Sequence, residues 1–520
     1  MSPGKTFNAI PKLREPYAMT KQGLKIAFVN DSCEHLGVEY ISALLKSEGH
    51  DTRLFVDPLL FDDEFITVKF LNRRFDYTKR IVRAIAAYQP DLIGMSVVSS
   101  FYPWASQMAG AIKAEMNVPI IMGGIHPTSV PERVIRNEAV DMICIGEGEY
   151  PMLELAQSMA RGEPDSAIKN IWFKKNGQVI RNPLRPLIED LDALPFADKD
   201  LYYSASPHFS KSYYIAASRG CPHACSYCCN SYLHSLYKGL GAPRRSRSVH
   251  NVIEELVQAQ KRYRTDPVFF LDDCFGTDLR WLKEFAAQYR EKIGIKFYCM
   301  MFPSLQMEEA VGYLAKAGCG EIEIGVQSWD EDVRRRVFNR RVSNDTMIQT
   351  MKLIRKADIN LVTGDILGYP GQKEEHILKA AEIYTDIKPS RTYAFILKYF
   401  PRTQMTEQSV KNGSLKPDDY EKILDGHYGK YLSKDGSMTE QDVMRYLFLF
   451  LLVRILPPRW AKTVIRKRLY KRFPVVFTPA IMSILNNFST STFESRVNRR
   501  SALARYTFFI KQLFFKAKAT

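Results

Sequence analysis

Three cysteines within eight residues, Cys221-Pro222-His223-Ala224-Cys225-Ser226-Tyr227-Cys228, constrain this chain more than any other feature. They are separated by three residues and then by two, with an aromatic residue just before the last. Thiolates are the usual ligands of iron–sulfur clusters, and a short loop can bring three of them to three irons of a [4Fe-4S] cubane. No fourth cysteine follows at a suitable spacing, which leaves one iron open to a substrate or cofactor. A zinc site usually needs two ligand pairs, and no second Cys-x-x-Cys or His pair follows. Cys229 adjoins Cys228, and neighbouring side chains on a tight loop do not readily ligate one ion together. Nine cysteines in 520 residues, without a secretory signal, argue against a disulfide framework.

The flanks agree with a metal cluster. Ile215-Ala216-Ala217-Ser218 reads as a strand end, and Arg219-Gly220 leads into the cysteine loop. The loop and its flanks resemble the signature of the radical S-adenosylmethionine (radical SAM) superfamily, which places its cluster after the first strand of a barrel. The resemblance implies that Cys221, Cys225 and Cys228 hold a [4Fe-4S] cluster. It also implies that the open iron is chelated by the amino and carboxylate groups of SAM. An electron from the cluster then cleaves SAM into methionine and a 5′-deoxyadenosyl radical.

A chain of this length exceeds one ordinary core and predicts two or three domains. Hydrophobic residues make up 46% and charged residues 25%, which is globular and not disordered. The absence of an apolar signal run, together with free cysteines, points to a reducing cytoplasm. The net charge of +16 is unevenly placed: from Gln441 onward sixteen Lys and Arg face only Asp442 and Glu494, 16 − 2 = +14.

Residues 1–22 read as a loose arm. Over 23–160, apolar runs alternate with helical spacing: Lys25–Val29, Thr52–Val56, Asp91–Ser96, Pro119–Met122 and Asp141–Ile145 as strands, with helices between them. The alternation predicts a doubly wound, Rossmann-like parallel sheet whose ligand crevice lies at the carboxyl ends of the strands. This segment resembles the cobalamin-binding domain that precedes the barrel in one radical SAM subgroup. The resemblance implies that Ser96, in Ser96-Val97-Val98, and the Gly123-Gly124 turn line the cobalamin nucleotide tail. The family's Asp-x-His-x-x-Gly loop is absent, since Asp31, His35 and Gly37 stand at other spacings. No histidine is therefore expected beneath cobalt, and His35 and His126 read as ordinary loop histidines. A vestigial domain that binds nothing is the alternative.

Residues 161–210 read as an acidic, Pro-containing connector. Residues 211–405 predict a partial (β/α)6 barrel, TIM-like, with strands ending near Ser218, Asp273, Met300, Ser328, Gly368 and Ile396. By resemblance, the backbone around Tyr227 contacts adenine. Asp272 or Asp273 meets the methionine ammonium, one of the two only capping the next helix. Gln327 and Ser328, in Gly-Val-Gln-Ser, mark the fourth strand end. Arg340 suits the methionine carboxylate. Gly364-x-Ile366-x-Gly368 matches most of an adenine motif whose final acid is missing. Cys274, Cys299 and Cys319 read as small buried apolar residues.

Residues 406–520 predict a mostly helical, basic region. Tyr446–Val453 is apolar but too short to span a bilayer. Arg459, Lys462, Arg466, Lys467, Arg468, Lys471 and Arg472 follow, interleaved with Trp460, Tyr470 and Phe473. Tyr506, Phe508, Phe509, Phe514 and Phe515 later stand among Arg505, Lys511 and Lys516. This pattern suits an anionic membrane surface, with a helical cap on the barrel as the alternative and RNA contact as a third reading. The resemblance implies an enzyme that methylates an unactivated carbon of a hydrophobic small molecule, fed by a reducing partner such as flavodoxin or ferredoxin. The alternatives are an oxidative cyclase of a tetrapyrrole-like substrate and an RNA-modifying enzyme. An RNA methylthiotransferase would need three further N-terminal cysteines, and only Cys33 and Cys144 are there, so nucleic acid is not an expected partner.

Overall fold

The computed structural model describes residues 23–61, 75–162, 165–263, 266–427, 438–472 and 492–515. The arm 1–22, Phe473, Lys516 and the side chains of Phe514 and Phe515 lie outside the described residues. Two sheets organise the α/β fold. In the first, β1 (Lys25–Asn30), β2 (Asp51–Val56), β3 (Leu92–Ser96), β4 (Ile120–Gly123) and β5 (Met142–Cys144) run parallel. Their near-continuous apolar character fits strands covered on both faces. The order is β2-β1-β3-β4-β5, and the connector extends it. The segment read from sequence as a linker contains β6 (Ile171–Lys175) and β7 (Gln178–Arg181), an antiparallel hairpin added beside β5. The Asn176-Gly177 turn, both residues at positive φ, is the hairpin signal in that stretch.

The second sheet holds β8 (Tyr213–Ile215), β11 (Val268–Phe270), β12 (Phe297–Met301), β13 (Cys319–Gln327), β14 (Asn360–Leu367) and β15 (Arg391–Ile396), all parallel. Two short strands, β9 (Ser218–Arg219) and β10 (Arg245–Ser246), form a separate antiparallel pair beside the first barrel strand. The six-stranded order β8-β11-β12-β13-β14-β15 is a partial barrel open between its first and last strands.

The C-terminal region completes this barrel. Helix Glu440–Ile455 buries Val443, Leu449, Phe450 and Val453 in the barrel's outer core. The Lys388 ammonium caps its end, donating to the Val453 carbonyl at 2.7 Å. The last helix, Phe493–Phe515, starts in the barrel lumen: Phe493 N donates to Glu321 Oε2 at 2.7 Å, and Arg391 Nη1 donates to Ser495 Oγ at 3.0 Å. Val497 packs with Phe269 and Tyr298. The same helix then runs onto the N-terminal domain, where Phe509 is 5% exposed in that domain's core. Arg505 donates to Ser32 Oγ at 2.7 Å, and the Tyr77 hydroxyl donates to the Phe509 carbonyl. Tyr506, Phe508 and Phe509 thus face protein, which corrects the expectation that they meet a membrane. Aromatic residues among cations look alike in sequence whether they cover a neighbouring domain or a lipid surface.

The lumen plug has an electrostatic signature. Burial lifts the Glu321 carboxyl from 4.5 to about 7. The fold favours the neutral form, so this group's stabilising contribution is complete below pH 4.5 and is lost as pH rises through about 7. Glu321→Gln stays neutral at every pH. Between pH 5 and pH 8 the variant should lose about 2–3 kcal/mol less stability than the parent. Urea melts at the two pH values check this, and parallel losses in both proteins would count against it.

Candidate active site

The turn after β8 is fixed by Asp272. Its carboxylate accepts from Ala217 N at 3.0 Å and from the Ser218 hydroxyl, and burial lifts its pKa to about 6. Asp272 therefore braces the start of the cysteine loop, and neither aspartate caps the next helix: Asp278 does so, accepting from Arg280 N at 2.8 Å. Arg219 ties the same turn to the N-terminal domain, bonding Glu147 at 3.1 Å and Glu149 at 2.6 Å. Arg245 of the partner strand β10 also reaches Glu147, at 2.8 Å. Gly220 has φ +76°, and a Cβ there would run into the Pro243 carbonyl oxygen.

The cysteine loop is gripped by the segment that follows β13. Ser226 N donates to the Phe338 carbonyl at 3.0 Å, and Asn339 Nδ2 donates to the Ala224 carbonyl at 2.8 Å. On the other side, Met405 N donates to the Ser226 carbonyl at 2.8 Å. His234 Nε2 lies 2.8 Å from the Cys221 carbonyl. So held, the three thiols ring a cavity of about 180 Å³ that Tyr227, Glu323, Gln327 and Arg340 also line. Among the described residues no three His, Cys, Asp or Glu side chains converge on a single ion. Burial pushes the Cys221 thiol up to about 12, whereas the neighbouring Cys229 thiol donates to Cys228 and holds it down to about 7. Cys274, Cys299 and Cys319 are buried.

Arg340 is a buried cation in this cavity. Its Nη2 donates to the Gly325 carbonyl at 2.6 Å, and its guanidinium lies 4.1 Å from the Phe302 ring centre, on which His223 stacks. Its Nε is buried without a partner, and no carboxylate pairs with it among the described residues. Gln327 adopts φ +68°, and its amide folds over Gly325, where a Cβ would collide with it. Strand parity places Glu321, Glu323, Gly325 and Gln327 on the lumen face and sends Ser328 to the other side. There Ser328 meets the Tyr369 hydroxyl at 2.9 Å, away from the cavity. Gly364 stands opposite Gly325 in register, and a Cβ on it would lie 4.0 Å from Glu323 and from Phe395. Gly368 lies in the turn beyond, its N donating to Gln372 Oε1 at 2.6 Å. Glu323 was not singled out from sequence, although its alternation with Ile322 and Ile324 is the signal. The Tyr298 hydroxyl donates to it at 2.7 Å, and burial pushes its carboxyl up to about 7.

A second cavity, of about 380 Å³, opens between the carboxyl ends of the first sheet and the barrel. Ser96, Gly123 and Gly124 line it, with Gly94 and Met95 beneath and Leu271 from the barrel side. Gly124 has φ +95°, and a Cβ there would stand 2.8 Å from the Val97 carbonyl oxygen, so only glycine makes this turn. His35 is held at the rim: Nε2 lies 3.3 Å from Asp31 Oδ2 and Nδ1 3.3 Å from Ser96 Oγ. His126 is fully buried against Tyr102, and burial holds its pKa down to about 3. A third cavity, of about 510 Å³, lies between residues 230–243 and the N-terminal domain, with Ile125, Leu187, Leu233 and Tyr237 in its walls. Asp273 lines all three cavities, and Asn230 lines the first and the third. Burial raises the Asp273 carboxyl, and Asn230 donates to it.

This arrangement matches known proteins. Residues 215–383 match the radical SAM superfamily model, and residues 26–156 match the B12 binding domain model. The chain carries a radical SAM domain behind a B12-binding domain. It is an enzyme of the subgroup that carries a B12-binding domain, and a [4Fe-4S] cluster, SAM and cobalamin are the cofactors of that pairing. An uncharacterized methyltransferase of Pyrococcus horikoshii is 24% identical over 73% of this chain and 79% of its own length. Cytidylyl-2-hydroxyethylphosphonate methyltransferase of Streptomyces wedmorensis is 20% identical over 74% of this chain and 79% of its own. Among solved structures, the cobalamin-dependent radical SAM enzyme OxsB superposes with TM-score 0.63 at 16% identity, covering 94% of this chain and 76% of that one. The radical SAM methyltransferase TsrM of Kitasatospora setae gives TM-score 0.61 at 16% identity over 75% of this chain and 78% of that one. These two superpositions establish the shared fold.

Proposed function

We propose that this radical SAM enzyme transfers a methyl group to an unactivated carbon of a hydrophobic small molecule. The reading rests on three cavities that meet at Asp273: one ringed by thiols, one at the edge of the B12-binding sheet, and one in which Ile125, Leu187, Leu233 and Tyr237 stand beside polar groups such as Arg219, His234 and Lys238. The residues fit the cofactors. Soft thiolates suit iron, and three of them leave one iron for SAM. The unpartnered Arg340 Nε and its guanidinium suit the methionine carboxylate. Asp273, which borders the thiol cavity and accepts from Asn230, suits the ammonium better than Asp272, which the turn at Ala217 and Ser218 engages. Gln327, Glu323 and the backbone beside Tyr227 border the same cavity and suit the ribose and adenine. Ser96, Gly123 and Gly124 leave room for the cobalamin tail, and neither His35 nor His126 lines that cavity.

When bound, the cluster supplies the electron that splits SAM and cobalamin supplies the methyl group. The chain's own residues orient SAM through Arg340 and Asp273, keep water out with Met300, Met301 and Phe302, and hold substrate in the third cavity, with its apolar part against Ile125, Leu187 and Leu233. The electron is delivered by a low-potential carrier such as flavodoxin or ferredoxin. Methyl transfer consumes a second SAM, so 5′-deoxyadenosine and S-adenosylhomocysteine should form together in anaerobic turnover with dithionite. A second reading is oxidative ring closure, which the 22% identity to anaerobic magnesium-protoporphyrin IX monomethyl ester cyclase of Cereibacter sphaeroides supports over 68% of this chain and 56% of the cyclase. Ring closure would give 5′-deoxyadenosine without S-adenosylhomocysteine.

A further inference from the structure

No helix among the described residues is long and apolar enough to cross a membrane. Yet among the described residues one basic face of the C-terminal cap is left uncovered. Helix Pro458–Arg466 buries Ala461 and Ile465 against the barrel's outer core. Turning 100° per residue, it sends Arg459, Trp460, Thr463, Arg466 and, just past its end, Lys467 to the opposite side. Trp460 is 70% exposed, and Ile455, at the end of the preceding helix, is 57% exposed. The acids that reach this segment engage its edges: Asp386 meets Lys462 at 2.8 Å, and Glu374 meets Arg468 at 3.4 Å and Lys471 at 2.8 Å. Arg459, Arg466 and Lys467 have no ion pair among the described residues, and all three are exposed.

We infer that this face, from Ile455 to Arg472, docks the enzyme on an anionic membrane surface. Three features combine. The cations cluster on one side of a short amphipathic helix. A tryptophan, which favours the headgroup level, sits on their flank. An aliphatic side chain, Ile455, is exposed at the end of the preceding helix; it suits acyl chains and offers no ring for base stacking, as a nucleic-acid surface would. Docking here leaves the buried aromatics of the last helix in place. It also needs no change in the active site, so it stands independently of the proposed reaction.

Full-length protein mixed with phosphatidylserine–phosphatidylcholine vesicles, sedimented at low and high salt, tests this. Each cation near such a surface is worth about fivefold in affinity. Replacing Arg459, Arg466 and Lys467 together by Gln should therefore weaken binding about a hundredfold. Trp460→Ser should weaken it while keeping the salt dependence. The three cations and Trp460 are surface residues remote from the thiols, so thermal melts and cluster absorbance of the variants should match the parent. Binding only to anionic vesicles, lost in the triple variant and released by salt, is the expected result. Equal binding to neutral and anionic vesicles, binding to neither, unchanged binding of the triple variant, or binding to single-stranded RNA but not to vesicles would each overturn the inference.

Discussion

Replacing Cys221, Cys225 or Cys228 by Ala should abolish the iron–sulfur absorbance of anaerobically prepared protein and bring SAM cleavage to background. Cys229→Ala should keep both. The reason is geometric. The first three thiols ring the cavity that Arg340, Gln327 and Glu323 share, whereas Cys229 opens the next helix and donates its thiol proton to Cys228. Losing Cys229 removes one hydrogen bond to a ligand, and iron bound to Cys228 replaces that stabilisation of the thiolate. A Cys229 variant that cannot hold a cluster would mean that the ligand set is wrong. Arg340→Lys offers a graded companion: the charge stays, the planar fork is lost, and SAM affinity should fall while cluster absorbance persists.

The second large effect concerns the last helix. Phe509 sits in the N-terminal core although its helix begins in the barrel lumen, so one element bridges both domains. Phe509→Ala should cost about 3–5 kcal/mol, the usual loss for a buried phenylalanine. Because the helix also carries Phe493 to Glu321 and Glu494 to Arg391, 3.5 Å away, the variant should loosen the barrel plug as well. Denaturant melts followed by tryptophan fluorescence give the first number. Faster hydrogen exchange in β13 and β15 would report the second. A loss under 1 kcal/mol would mean that the helix rests on the surface, as a membrane anchor would.

Much of this was legible in the sequence. The parallel strands of both sheets announced themselves as apolar runs spaced by helices, and the cysteine loop named its chemistry. What sequence could not show follows from contacts between distant residues. Asn176-Gly177 marks the turn of the hairpin at 171–181, but its flanks alternate too weakly to stand out as strands in a Pro-containing connector, and they pair because β5 offers an edge. Asp272 and Asp273 are adjacent and equivalent in sequence. Only the turn at Ala217 and Ser218, more than fifty residues upstream, engages the first and leaves the second facing the cavities. Ser328 follows Gln327 in a familiar motif, yet strand parity turns it to the Tyr369 hydroxyl. Glu323 was hidden in plain alternation. The aromatics at 506–509 were read as lipid-facing because their true cover is the N-terminal domain, more than four hundred residues away.

The thiol-ringed cavity would hold a cubane and the cavity at the edge of the first sheet cobalamin, with Asp273 bordering both and no histidine expected on cobalt. Combined ultraviolet–visible and electron paramagnetic resonance spectra of anaerobically purified, cofactor-loaded protein test it most directly. The expected result is iron–sulfur absorbance together with cob(II)alamin whose resonance shows no nitrogen splitting from an axial histidine, unchanged in His35→Ala. Protein that takes up iron but no cobalamin, or a cobalamin signal split by a histidine nitrogen, would contradict it.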